Sequence, residues 1–137
     1  MIAGREAVAH HEMSHKIVAE ACGVGTFNVR VGENSGRVSF RNDTWEQVPG
    51  SQVALLAGHV GQMRWAREHG VHSPSGDSGD RAEFAAMNRD LVASGRPAVS
   101  YGWARGEAER LVARHWGAIQ AASAAFYPAA QREGASR

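Results

Sequence analysis

Charge of one sign, cysteine and long apolar runs are all scarce in this chain of 137 residues, and each scarcity closes off a class of protein. Fifteen basic against fourteen acidic side chains leave a formal charge of +1, with neither sign gathered into a block. That removes the electrostatic footprint of a nucleic-acid binder and of a polybasic membrane patch. The single cysteine, Cys22, cannot form an internal disulfide and suits a reducing compartment. It stands on a helical stripe, where a packed thiol is the expected role rather than a nucleophile. No apolar run approaches the ~20 residues of a membrane helix, and the start reads GREAVAHHE after Met1-Ile2-Ala3, unlike a secretion signal. The expectation is a cytoplasmic protein with no membrane span. There is no internal repeat and no linker long enough to divide the chain, so residues 1–127 read as one domain and 128–137 as a flexible tail.

Periodicity predicts an α+β fold, predominantly helical. A first helix runs from near Ile2 to Ala21 and ends at Gly23. TFNVRV then alternates Phe27, Val29 and Val31 against polar neighbours, GENSG supplies a turn, and RVSF alternates Val38 and Phe40, which is a β-hairpin. Three further helices follow. The second is capped near Thr44 or opened at Pro49, carries Val53, Leu56, Val60, Met63 and Arg67 on one face, and stops near Gly70. After the loop HSPSGDSGD, 72–80, a third presents Phe84, Met87 and Leu91; beyond Gly95 and Pro97 a fourth runs from about Trp103 to Phe126, packing Leu111, Val112, His115 or Trp116, and Ile119.

The first helix holds the chemistry. His11, Glu12 and His15 form H-E-x-x-H, in which one helical turn carries both imidazoles to the same face, where they can grip one metal ion, and sets the glutamate beside it within reach of a water on that ion. His11 and His15 also fall on the apolar stripe Val8, His11, His15, Val18, Cys22. Burying two neutral imidazoles without partners costs about 1–3 kcal/mol for each unsatisfied polar group, and zinc satisfies both. His10 is rotated ~100° off that face and reads as flanking. His59, His69, His72 and His115 are lone histidines, of which His72 stands closest to the acidic loop.

Zinc with an open position needs a third protein ligand. The extended pattern H-E-x-x-H-x-x-G-x-x-H is absent, since Val18 and Ala21 stand where glycine and histidine would be. Glu20, Asp77, Asp80 and Glu83 are the candidates. Glu20 is five residues past His15 and points off the zinc face, which leaves the acids of the loop and the helix start. Asp80 has a competing structural role, because Asp-Arg-Ala-Glu has the form of a capping box with Glu83 three residues on.

The order HHEMSH, RVGENSGRVSF, LLAGHVGQMRW, SGDSGDRAEFAAM resembles the zinc peptidase domain of the FtsH family of ATP-dependent proteases. The resemblance spans most of the chain and implies a third ligand in a Gly-x-x-x-Asp loop, which matches Gly76 to Asp80. It implies zinc held by His11, His15 and Asp80, with Glu12 as the group that takes a proton from water and returns it to the leaving amine. Two departures stand out. Gly61-Gln62-Met63-Arg64 replaces the acidic residues that usually follow the family's alanine-glycine segment, so no carboxylate of helix 2 backs the metal; the ATPase module and membrane helices are missing. The expected activity is therefore endopeptidase cleavage of flexible or unfolded protein, with a separate ATPase or adaptor as the conceivable partner. The rival expectation is a catalytically silent zinc-binding or protein-interaction module.

Overall fold

The computed structural model describes residues 4–72 and 78–127. Helix α1 spans Gly4–Ala21, strands β1 and β2 span Gly25–Val31 and Gly36–Arg41, a short 3-10 turn covers Trp45–Gln47, and helices α2 to α5 cover Val48–His69, Ser78–Ala93, Tyr101–Arg114 and Trp116–Ala124. The α+β, mainly helical expectation is met. The tail expected over 128–137 lies outside the described residues.

Three of these helices end where a glycine was expected to end them. At Gly23 the backbone turns left-handed (φ +75°), and Val24 N–H reaches back to the Ala19 carbonyl while Gly23 N–H reaches that of Glu20. This pair of bonds satisfies carbonyls that the helix leaves open, in a conformation a Cβ would penalise. Gly70 and Gly95 close α2 and α3 with the same two bonds.

Helices α1 and α2 form the antiparallel pair on which everything else is laid. Gly50 of α2 lies by Cys22, Gly58 by His15 and Gly61 by Ser14, so the two helices run in opposite senses. A Cβ at Gly61 would collide with the Ser14 side chain and sit 3.2 Å from the His10 carbonyl, so the glycine allows the two backbones to meet. α2 is buried all round over residues 51–58, and α1 buries His10, Glu12 and Met13 as well as His15 and Val18. The single-stripe reading of α1 was too narrow for that reason: α2, the hairpin and α5 cover it on different sides.

The hairpin departs from plain alternation. Asn28 adopts φ +57° and the register slips between Phe27 and Arg30, a bulge that moves Phe27 to the outer face, where it is 52 % exposed. Thr26, Val29 and Val31 are half-buried instead. Asparagine tolerates this conformation better than most residues, yet nothing in an alternating sequence announces the extra residue.

The expected last helix is two. The chain bends at His115 (φ −104°, ψ 15°), and Trp116, Ile119 and Ser123 of α5 turn onto α1. Of the two alternatives at this point, Trp116 is the buried one and His115 is half-buried. Hydrogen bonds from His115 N–H to Leu111 and from Ile119 N–H to His115 run through the bend, so the helical spacing in sequence continues across it.

Helix α3 is held by a polar clasp. Gln52 of α2 donates to the Phe84 carbonyl at 3.3 Å and to Asn88 Oδ1 at 2.9 Å; Asn88 in turn donates to the Val99 carbonyl at 3.0 Å and accepts from Val99 N–H at 2.8 Å. One amide thus ties α3 to α2 and to the segment leading into α4. Asn88→Ala leaves several of these groups without partners, and each buried unsatisfied group costs about 1–3 kcal/mol. Urea denaturation is expected to show a loss in that range or above it.

Candidate metal centre

The turn of α1 that carries His11 and His15 faces α2, and α2 fixes both rings. His15 Nδ1 donates to the Ala54 carbonyl at 2.8 Å, and His11 Nδ1 donates to Gln62 Oε1 at 2.7 Å. Carbonyl oxygens only accept, so the proton of each neutral ring is on Nδ1 and each Nε2 is left with a bare lone pair. These two Nε2 atoms stand 3.0 Å apart. Neither has a hydrogen to offer the other, and such an apposition is repulsive unless a cation is shared. Zinc–imidazole bonds of about 2.0–2.1 Å at a tetrahedral angle separate two nitrogens by about 3.3 Å, close to what the chain provides.

Glycines make the approach possible. A Cβ at Gly58 would collide with Cε1 and Nε2 of His15 and lie 2.8 Å from His11 Nε2. On the opposite side, a Cβ at Gly36 of β2 would lie 2.6 Å from Glu12 Cγ and 2.9 Å from its Oε2, so the hairpin closes directly over the glutamate. Phe40, further along β2, meets the His15 ring edge to face at 5.7 Å. Asp80 arrives on the first turn of α3, with Oδ2 3.9 Å from His11 Nε2. His11, Glu12 and His15 each offer a donor atom within 4.8 Å of the others.

Burial governs the electrostatics. It pushes the His15 pKa down to about 3, with the neighbouring His11 adding to the fall and the Ala54 carbonyl opposing it. It lowers that of His11, where Gln62 opposes and His59 adds. It raises the Glu12 carboxyl to about 8, helped by the negative charge of Asp80. Two neutral rings with two carboxyl groups beside them are a donor set of imidazole and carboxylate, which is a zinc-binding chemistry. The residues present fit that metal.

His11, Glu12, His15 and Asp80 therefore border one cleft of about 480 Å³ between α1, β2 and the start of α3, with Leu55 and Glu83 also on its walls. The other candidates go elsewhere. Glu20 is exposed and paired with Lys16 at 2.9 Å, and Asp77 lies outside the described residues. Asp80 is the third residue of α3 rather than its cap, because the helix starts three residues earlier than the loop composition suggests. His10, read as flanking the pair, turns into the core: it is 2 % exposed, donates from Nδ1 to the Glu6 carbonyl at 2.7 Å, and packs among Trp65, Trp116 and Tyr127. His69 stacks on Trp65, and His72 is exposed.

The sequence places no carboxylate of helix 2 where it could back a metal; in the structure an amide of that helix, Gln62, accepts from His11. The available signal is spacing, since Gly58 and Gln62 are one turn apart and so share the face turned to α1. Removing the acceptor frees the His11 ring to rotate and to change tautomer. Gln62→Leu should weaken zinc binding by about 10–100-fold, the usual cost of losing such a partner. Gln62→Glu, which still accepts the Nδ1 proton, should bind within a few-fold of the parent; competitive zinc titration compares the three.

No family model, curated protein or solved structure matches this chain.

Proposed function

We propose that this chain is a zinc-dependent endopeptidase acting on flexible or unfolded protein segments. The observation that carries this is the 3.0 Å apposition of two Nε2 atoms whose Nδ1 protons are both committed to acceptors, beside a buried glutamate. His11, His15 and Asp80 are the residues that would hold the metal. Zinc bound there would supply Lewis acidity, which polarises a peptide carbonyl and acidifies a water. Glu12 is the proton carrier: its carboxylate takes a proton from the attacking water and returns it to the leaving amine. Ala54 and Gln62 keep both rings in the tautomer that ligation needs, and Gly36 leaves space for Glu12 against the hairpin.

The likeness of the motif order to the FtsH peptidase domain supports the same reading. The sequence has no nucleotide-binding loop of the G-x-x-x-x-G-K type. A substrate that arrives already loose, or one delivered by an ATPase or adaptor, fits that. Among the described residues no helix is long and apolar enough to cross a membrane, and the lone cysteine is consistent with a reducing compartment such as the cytoplasm.

Metal analysis of protein purified without a histidine tag should find one zinc per chain. Its absence would leave a helical interaction domain, and zinc without cleavage of an unstructured protein such as casein would leave a silent zinc-binding module. Glu12→Gln should keep the zinc and lose casein hydrolysis by at least the 10²–10⁴-fold typical of a removed general base, about two to four decades. Unchanged turnover would reject the proton-transfer role.

The third ligand has its own test. Asp80→Asn should weaken zinc affinity at least tenfold, or about 1.4 kcal/mol, whereas Glu83→Gln, on the same cleft but one turn further along α3, should leave it nearly unchanged. Equal affinities in the two variants would return Asp80 to a helix-start role.

A further inference from the structure

Five consecutive residues of β2, Gly36 to Phe40, line the cleft. Side chains of a strand alternate between its faces, so an unbroken run of this kind means that the strand presents its edge. Among the described residues β2 is hydrogen-bonded on one side only, to β1. The hairpin carries an uncompensated charge beside this edge, with Arg37 on the cleft wall and Arg30 next to it on β1. Arg30 and Arg37 are directly opposite each other across the two strands, and both are exposed. Like charges in that relation are disfavoured. Among the described residues neither guanidinium has a carboxylate within ion-pair distance; Arg37 has only a 3.4 Å bond from Nε to Ser39 Oγ. The remaining hairpin arginine, Arg41, is occupied by Asp43 at 3.1 Å. Across the cleft the sign reverses, with Glu83 on the α3 wall.

We infer that the cleft selects extended segments bearing Asp or Glu side chains, whose carboxylates are read by Arg37 and Arg30 while the segment's backbone adds to the free edge of β2. The choice of substrate rests on the peptidase reading for the fate of the bound segment, and on the charge of the two walls for its composition. Paired guanidiniums offer parallel N–H donors that match a carboxylate and lose little on ordering. Glu83 repels an acidic side chain from the α3 wall, so the two walls together orient the segment. Holding Arg30 against Arg37 without a partner costs the free protein some stability, and a bound carboxylate relieves that repulsion.

The test separates recognition from cleavage. Zinc-loaded Glu12→Gln protein is titrated, with fluorescence anisotropy as readout, against labelled decapeptides blocked at both ends that differ only in a central Glu-Glu, Gln-Gln or Lys-Lys pair. The Glu peptide should bind at least tenfold more tightly than the Gln peptide and more tightly still than the Lys peptide, with the preference fading as salt is raised. In Arg30→Gln/Arg37→Gln the preference should shrink to within about twofold, while the urea midpoint stays the same or rises because a like-charge pair has been removed. With the unsubstituted protein the preference should appear in KM rather than kcat. Equal binding of Glu and Gln peptides, a preference that survives the double substitution, a fall in stability on making it, or binding that requires a free terminal carboxylate would each overturn the inference. If the Glu peptide is bound selectively and no peptide is cut, acid recognition stands and the peptidase reading fails. If peptides are cut without regard to charge, the reverse holds.

Discussion

The approach of α1 to α2 at Gly58 and Gly61 is the constraint from which the rest of the site follows. A methyl group at either position would strike the facing side chains, His15 in one case and Ser14 in the other. With both glycines present, the helices come close enough for the Ala54 carbonyl and the Gln62 amide to take the Nδ1 protons of the histidine pair. The tautomer of both rings is thus set by backbone geometry and one side chain of a different helix. What results is a pair of bare lone pairs held in opposition, an arrangement with a clear electrostatic preference for a cation.

The remaining elements act on that pair from the outside. The hairpin covers Glu12 through Gly36 and braces His15 through Phe40, which removes water from the carboxyl group and raises its pKa. Helix α3 brings Asp80, and it is held by the Gln52–Asn88 clasp together with the buried Phe84 and Leu91. On the far side of α1, His10 is enclosed by Trp65, Trp116 and Tyr127, so adjacent histidines in one sequence motif serve unrelated purposes. A rotation of one residue along a helix, ~100°, separates core packing from candidate metal chemistry.

Much of this was legible beforehand where the signal is local. Gly23, Gly70 and Gly95 end helices because a left-handed residue is needed there, and that need is visible as a glycine after an amphipathic run. The H-E-x-x-H spacing brings its own three side chains together without help from the rest of the chain. Signals that depend on a partner element were not legible. The bulge at Asn28 turns Phe27 outward against the alternating pattern, the bend at His115 breaks a helix whose hydrogen bonds and spacing run through it, and Gln62 looks like an ordinary surface residue until α1 is laid against it.

The sequence by itself determined the order of helices and strands up to the break at His115, the placement of two histidines and a glutamate on one turn, and the acid at the start of the third helix, because each depends on backbone conformation within a few residues. Only the tertiary structure decided which ring nitrogens are bare, that Glu12 is buried beneath the hairpin, that Asp80 comes within 3.9 Å of His11, and that Arg30 stands across the strands from Arg37, which lines the cleft. Those are relations between residues distant in the chain or paired across strands, and their energies depend on burial and on the partner's exact distance, neither of which has a counterpart in local spacing.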